Sequence, residues 1–244
     1  MRIEMITGGT SITMNIIMPE KWHKYKMENA KVLWMLHDKF DTSSDWISFT
    51  QAEIFAEEHE IVLVCPTMNS ARYNDWINGC RWQTYFTEEL YEYVHEMLPL
   101  SKKPEDNILF GFGRGGFGAL KYLLTCPDKY GCAYSVSYDD GFVQNHIKNS
   151  KAPAKFFNGY ASPEEVEKSP ENISWLAEYY KKNNESLPVI YLAYAKDSDM
   201  YERNLEIKEL LINLGYDINC DEADGNSSWN FCNTQLEKAL NLID

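Results

Sequence analysis

The chain of 244 residues predicts a three-layer α/β fold, in which a mostly parallel sheet carries helices on both faces. Short apolar runs bounded by turn residues alternate with amphipathic segments along most of its length. Continuous apolar strands separated by helices are typical of βαβ units. An apolar content of 44% is enough to build a large core. Nothing in the chain resembles a linker or an internal repeat, so we expect one domain over residues 1–244.

The individual elements follow from the period of the apolar residues. Apolar runs predict buried strands at residues 31–36, 61–65, 107–111 and 188–194. Helical spacing predicts helices over residues 46–59, 86–98, 115–125 and 202–214. Residues 2–20 alternate apolar and polar positions, which favours antiparallel strands at a sheet edge. Residues 142–187, rich in Lys, Glu, Asn and Pro, predict a cap-like insertion with short helices.

The charge of the chain restricts its partners. It has 23 Lys and Arg against 37 Asp and Glu, a net charge of −14, which disfavours nucleic acids and anionic membranes. No apolar run is long enough to predict a membrane span, and no basic region followed by an apolar stretch predicts a secretory signal. Six cysteines without zinc spacing predict thiols in a reducing cytoplasm, and we expect no metal and no cofactor.

One motif carries the functional argument. Residues 111–119 read Gly-Phe-Gly-Arg-Gly-Gly-Phe-Gly-Ala, between a predicted strand and a predicted helix. The spacing matches the Gly-x-Ser-x-Gly turn that raises a nucleophilic serine above a sheet. Gly113 stands at the serine position and has no side chain that could attack a carbonyl. The motif predicts a strand–turn–helix unit without its nucleophile.

Together with further segments, this motif resembles the putative-esterase family of α/β-hydrolases, which includes tributyrin esterases, S-formylglutathione hydrolases and feruloyl esterases. The other segments are residues 85–103, residues 126–131, and Gly225 with Trp229 and Phe231. The resemblance covers residues 12–243 and implies a three-layer α/β-hydrolase fold and carboxylic-ester hydrolysis.

The family's mechanism uses a serine, a histidine and an aspartate. The resemblance places the serine position at Gly113, the histidine position at Ser227 and the acid position at Ser198, which Asp197 and Asp199 flank. None of the histidines lies in residues 195–235, where the family's base is expected. A single Ser-to-Gly replacement would leave Ser227 unexplained, so the pattern indicates an enzyme that has lost catalysis.

The residues expected around the site also depart from the family. Its Leu-His-Gly oxyanion loop reads Leu36-His37-Asp38, and a carboxylate there would oppose the charge that develops on an oxyanion. His37 is expected to be the structural histidine of this loop. The residues expected to contribute to a ligand-binding site are Arg114, His37, Asp38, Trp82 and Trp229. Arg114, at the start of a helix, predicts a site for a carboxylate or phosphate. Five aromatic residues either belong to the core or stack a sugar or an aromatic acid: Trp46, Tyr73, Trp76, Trp82 and Trp229.

Two functional classes remain open from the sequence. The first is a non-catalytic protein that binds a small acyl, sugar or anionic ligand or a partner protein, with a homo-oligomer as one arrangement. The second is a weak carboxylic-ester hydrolase with a rearranged site. Cys80, beside Arg81, is a weaker candidate nucleophile, since a reactive cysteine needs a base or a cationic environment and no base is evident.

Overall fold

The strands form one eight-stranded sheet in the computed structural model, which describes residues 1–7, 10–25, 28–68, 72–76, 79–148, 160, 162–184 and 186–243. Along the sheet the strands follow the order β1-β2-β4-β3-β5-β6-β7-β8. The strands β1 and β2 run antiparallel to their neighbours, and the others are parallel. Their bounds are β1 Arg2–Thr7, β2 Thr10–Ile17, β3 Val32–Leu36, β4 Val62–Pro66, β5 Asn107–Phe112, β6 Cys132–Val136, β7 Val189–Ala195 and β8 Ile218–Ala223.

Helices cover both faces of this sheet. Their bounds are α1 Glu20–Tyr25, α2 Asp45–Phe49, α3 Ala52–Glu58, α4 Trp82–Thr84, α5 Tyr91–Met97, α6 Arg114–Thr125, α7 Gly141–Lys148, α8 Pro163–Glu167, α9 Ile173–Asn183, α10 Tyr201–Leu214 and α11 Trp229–Ile243. A π-helical stretch, Tyr85–Leu90, joins α4 to α5.

The two faces of each strand enter different cores, because successive side chains of a strand point to opposite sides. Trp34 and Leu36 of β3 pack in the core that α5, α6, α9 and α10 cover. Leu33 and Met35 of the same strand pack in the core beneath α2, α3 and α11. This is the predicted three-layer α/β arrangement, and the predicted antiparallel edge strands are also present.

One predicted helix is wrong in extent. The helix expected over residues 46–59 is two helices, α2 and α3, that meet at Thr50. Thr50 has extended backbone angles (φ −130°, ψ 171°). Its hydroxyl donates to the carbonyl oxygen of Trp46 and accepts from the N–H of Ala52 at 3.2 Å. A threonine hydroxyl that bonds nearby backbone groups competes with the helical hydrogen bonds, and α2 ends there.

The described part of residues 142–187 is tied to the helix that follows β5. Helix α9 packs between α6 and α10, and its Ile173, Leu176 and Tyr180 are buried. Lys121 of α6 and Glu171, just before α9, form a buried ion pair at 2.6 Å. Helix α7, at the start of this segment, borders the cleft described below. The cap-like role of the segment stays a prediction, and residues 149–159 lie outside the described residues.

Candidate functional site

The turn at Gly113 joins β5 to α6, where the sequence predicted it. Gly113 has φ +58° and ψ −118°, which is unfavourable for a residue with a side chain. Its N–H donates to the carbonyl oxygen of Val136 at 2.9 Å, and its own carbonyl accepts from the N–H of Asp139 at 3.1 Å. A Cβ on Gly115 would lie 1.8 Å from the carbonyl oxygen of Leu36, so the start of α6 also needs glycine to approach β3.

The three positions that the resemblance assigned to catalysis lie along one cleft. Gly113, Ser198 and Ser227 all line a cavity of about 710 Å³. The loops that carry them follow β5, β7 and β8, and the carboxyl ends of parallel strands meet at one edge of the sheet. Ser227 Oγ lies 3.0 Å from Ser198 Oγ. The structure therefore brings these loops together, with hydroxyl groups at the two positions that the resemblance assigned to an imidazole and a carboxylate.

A third hydroxyl in this cluster was not predicted. Ser137 directly follows β6, and its Oγ lies 2.8 Å from Ser227 Oγ. Its φ of +51° is rare for a residue other than glycine and costs about 1–3 kcal/mol. A single serine carries no sequence signal of such a role, and the strand before it was not predicted either.

The carboxylate of Asp38 occupies the start of α6. Its Oδ1 accepts the N–H of Arg114 at 2.9 Å. In α/β-hydrolases the residue after the nucleophile supplies one oxyanion-hole N–H. A Cβ on Gly113 would lie 2.3 Å from Asp38 Cγ. The Asp38 side chain therefore fills the space that a side chain at residue 113 would need, and it binds the N–H that would stabilise an oxyanion.

Arg114 turns its side chain toward a neighbouring carboxylate and an aromatic ring. Its Nε lies 3.9 Å from Asp139 Oδ2, and its guanidinium lies 5.4 Å from the centre of the Phe142 ring. Burial raises the pKa of Asp139, while the N–H of Gly141 and the charge of Arg114 act against this rise. The charged residues that line the cleft are four carboxylates and two cations: Asp38, Asp139, Asp197, Asp199, Lys39 and Arg114. The cleft is polar, with an excess of negative charge.

His37 is structural and is not among the residues that line the cleft. Its Nε2 accepts the N–H of Met68 at 2.8 Å, so the ring proton is on Nδ1, which lies 2.6 Å from the carbonyl oxygen of Asp38. Burial lowers the pKa of the imidazole to about 4, so it is neutral near pH 7. These contacts hold the loop that carries Asp38, and the expected part of His37 in ligand binding stays a prediction.

Trp82 and Trp229, which the sequence predicted to bind a ligand, do not line the cleft. Trp82 is 2% exposed and packs edge-on against Tyr85. Trp229, the first residue of α11, packs against Trp46 with ring centres 5.0 Å apart. The abundance of aromatic residues does not indicate which face of an element carries them. The aromatic rings that do line the cleft belong to Phe112 and Phe142.

The alternative nucleophile lies elsewhere. Cys80 packs against the core beside α4 and does not line the cleft. Among the residues that the structure describes, the cleft contains neither a histidine nor a cysteine. Within the same residues, no group of three or more His, Cys, Asp or Glu side chains could hold a metal ion. No described helix is long and apolar enough to cross a membrane.

Comparison with known proteins identifies the family. The Esterase family model, described as "Putative esterase", matches residues 6–150, which is more than half of the chain. The chain belongs to this esterase family. It is 24% identical over 227 residues to an acetyl esterase of Caldicellulosiruptor saccharolyticus, covering 87% of this chain and 83% of that protein.

Solved structures show the same fold. FphF, a fluorophosphonate-binding serine hydrolase of Staphylococcus aureus, superposes with a TM-score of 0.89 at 21% identity, covering 100% of this chain and 97% of FphF. The S-formylglutathione hydrolase FrmB of Staphylococcus aureus superposes with a TM-score of 0.86 at 21% identity, with the same coverage. This esterase-family chain has the α/β-hydrolase fold.

Proposed function

We propose that this esterase-family chain has lost acyl transfer and uses its cleft to bind a small ligand. The observation that carries the proposal is the composition of the converging loops. The resemblance assigns the nucleophile to Gly113, the base to Ser227 and the acid to Ser198, and all three residues line the cleft. Covalent catalysis by a serine needs both an exposed hydroxyl and a base beside it.

The hydroxyl groups in the cleft do not supply a substitute. Ser137, Ser198 and Ser227 form hydrogen bonds among themselves, at 2.8 and 3.0 Å. An alcohol of ordinary pKa is a weak nucleophile until a base takes its proton. Asp139, the carboxylate whose pKa burial raises, accepts the N–H of Gly141 at 2.8 Å. None of the hydrogen bonds described for this cleft joins a serine hydroxyl to a carboxylate, so we propose that no hydroxyl here is activated.

The ligand and the partners are part of the proposal. A polar cleft of about 710 Å³ has room for a small metabolite. From the sequence we expected a small acyl, sugar or anionic ligand. The carboxylates around the cleft make an anion the least favoured of these three ligand classes. The net charge of −14 supports a protein that does not bind nucleic acid. Self-association into a homo-oligomer remains an expectation.

The direct test is labelling with a fluorophosphonate probe, paired with hydrolysis of p-nitrophenyl acetate. FphF serves as the positive control for the probe, since it is itself fluorophosphonate-binding. We expect no labelled serine and no hydrolysis above the buffer rate. Stoichiometric labelling of any serine would replace the proposal with a weak carboxylic-ester hydrolase that uses a rearranged site.

Repair of the site provides a second test. Gly113→Ser alone should remain inactive, because no base is present and Asp38 occupies the side-chain space. Adding Ser227→His and Ser198→Asp should still give little activity, since the loss of one oxyanion donor costs about 10²–10³-fold. Asp38→Ala in the triple variant should raise kcat/KM on p-nitrophenyl acetate by about that factor. Robust hydrolysis by Gly113→Ser alone would show that a base exists and would contradict the proposal.

A further inference from the structure

We propose that Asp38 is a specificity-determining residue: its carboxylate acts as a built-in ligand of the oxyanion hole, and the cleft therefore rejects carboxylates and accepts small uncharged or cationic ligands. The inference rests on the proposed function and names the ligand class of the same cleft. It concerns a residue whose role is a property of this chain, because the family has glycine after the Leu-His pair.

The first step is the occupancy of the anion subsite. Helix α6 is 12 residues long, and the unpaired N–H groups at the start of such a helix attract anions. Here Asp38 Oδ1 accepts the N–H of Arg114 at 2.9 Å. The absence of a side chain at Gly113 makes room for this carboxylate, since a Cβ there would lie 2.3 Å from Asp38 Cγ. Gly113 and Asp38 are therefore a complementary pair, one providing the space that the other fills.

The second step is the orientation of Asp38 by its own loop. Tyr73 donates its hydroxyl proton to the carbonyl oxygen of His37. The His37 ring binds the carbonyl oxygen of Asp38 and the N–H of Met68. These contacts are made by buried groups and fix the backbone on either side of the Asp38 side chain. The carboxylate is therefore held at the start of α6 by a rigid support.

The third step is the charge that an incoming ligand meets. The guanidinium of Arg114 lies beside the Asp139 carboxylate and over the Phe142 ring, so part of its charge is already balanced within the cleft. Asp197 and Asp199 add two exposed carboxylates to the lining of the cleft. A ligand carboxylate would have to displace Asp38 and approach these charges. We infer that an anion is rejected both by occupancy and by repulsion.

The fourth step is the hydrogen-bonding character of the rest of the cleft lining. Ser227 lies between Ser137 and Ser198, so two hydroxyl protons of these three residues are used within the cluster. Their remaining lone pairs, together with the carboxylate oxygens, make the cleft rich in acceptors. A complementary ligand brings hydrogen-bond donors and no negative charge. An alkylammonium group and a pair of neighbouring hydroxyl groups share this property.

The test compares probes of one size and different charge: propionate, propylammonium and 1,2-propanediol. Backbone amide NMR titrations of the full chain report binding and location together. In the wild type we expect no saturation by propionate up to 100 mM, on the scale of weak fragment binding. At least one donor probe should saturate and shift resonances of Ser137 or Ser227, and whether this is the ammonium or the diol identifies the source of the donors. Failure of both donor probes to bind would overturn the ligand class.

The variants test the role of Asp38 itself. Asp38→Ala should bind propionate at least about tenfold more tightly than the wild type does, with the largest shift at the amide of Arg114. Asp38→Asn keeps an oxygen that can accept the N–H of Arg114, so its propionate affinity should rise less than that of Asp38→Ala. Asp199→Ala makes the same change of charge in the cleft but leaves the N–H of Arg114 occupied by Asp38, so it removes only part of the repulsion. Its gain in propionate affinity should be at least about threefold smaller than that of Asp38→Ala, since an exposed charge is largely screened.

Several outcomes would overturn the inference. The first is that the wild type binds propionate as tightly as Asp38→Ala does. The second is that Asp199→Ala gains as much propionate affinity as Asp38→Ala. The third is that neither variant of Asp38 binds propionate more tightly than the wild type. If Asp38→Ala does not fold, the comparison of Asp38→Asn with Asp199→Ala decides the matter. Ester hydrolysis by the wild type would overturn the proposed function alone, whereas propionate binding by the wild type would overturn the inference and leave the loss of catalysis standing.

Discussion

Replacement of Gly113 by alanine should destabilise the protein, and about half of the cost should depend on Asp38. Two terms add. A side chain at φ +58° costs about 1–3 kcal/mol in backbone strain. The new Cβ would lie 2.3 Å from Asp38 Cγ, so the carboxylate must leave the N–H of Arg114. The loss of a hydrogen bond to a charged group costs about 1.5–3 kcal/mol.

The separation of these terms needs a double-mutant cycle with Asp38→Ala. Asp38→Ala removes the atoms that clash, so Gly113→Ala should then cost only the strain. The coupling energy is expected to be about 1.5–3 kcal/mol, which is the value of the hydrogen bond. Urea unfolding followed by circular dichroism measures each free energy of unfolding. In thermal unfolding the single variant should melt at least about 5 °C below the wild type, at about 2–4 °C per kcal/mol for a chain of this size.

A matched control is Gly225→Ala. Gly225 has φ +97°, and nothing lies within 4 Å of the position that a Cβ would take. This variant should show strain without a clash, and its cost should be the same with Asp38 or alanine at residue 38. If Gly113→Ala costs the same free energy in both backgrounds, the side-chain space at residue 113 is not filled by Asp38, and the argument on the occupied oxyanion hole is refuted.

Two further predictions concern buried titratable groups. Lys121→Met should lower the free energy of unfolding in urea by about 3–5 kcal/mol, because it leaves the carboxylate of Glu171 buried without its partner. The double variant Lys121→Met with Glu171→Gln should recover part of this stability. No recovery would show that the ion pair is not the cause. His37 should make the wild type less stable as the pH falls from 6.5 towards 4, because its folded-state pKa is lowered to about 4 by burial while the unfolded chain takes up the proton near 6.5. The loss is on the order of 3 kcal/mol. His37→Gln should lack this part of the pH dependence, and an unchanged slope would contradict it. Asp41, whose pKa burial raises to about 6, acts in the opposite direction in both proteins and cancels in the comparison.

The elements that could be predicted are those with a strong local signal. The strands β3, β4, β5 and β7 were predicted because they are buried on both faces and so read as continuous apolar runs. Strand β8 was not predicted. It lies at the edge of the sheet, and exposed polar residues such as Asn219 interrupt its apolar pattern. Strand β6, Cys132–Val136, was also missed, because it is short and contains serine.

The residues of the site likewise include some with a local sequence signal and some without one. The turn at Gly113 was predicted because glycine spacing is a local feature of the chain. Ser137 was missed because it follows an unpredicted strand. Trp82 and Trp229, which were expected near a ligand, do not line the cleft. The sequence does not show on which side of the sheet an aromatic side chain packs.

What the amino-acid order determined by itself is the absence of the residues expected for serine catalysis: residue 113 has no side chain, and no histidine follows His146. That conclusion needs only the identity of residues at spaced positions. What the tertiary structure decided is what fills the site. Leu36 pairs with Gly111 in the register of β3 and β5, so Asp38 and Gly113, each two residues further on, face each other at the end of the sheet. A contact between residues 76 positions apart, such as Asp38 with Arg114, depends on strand order and register, and these are set by packing of the whole sheet.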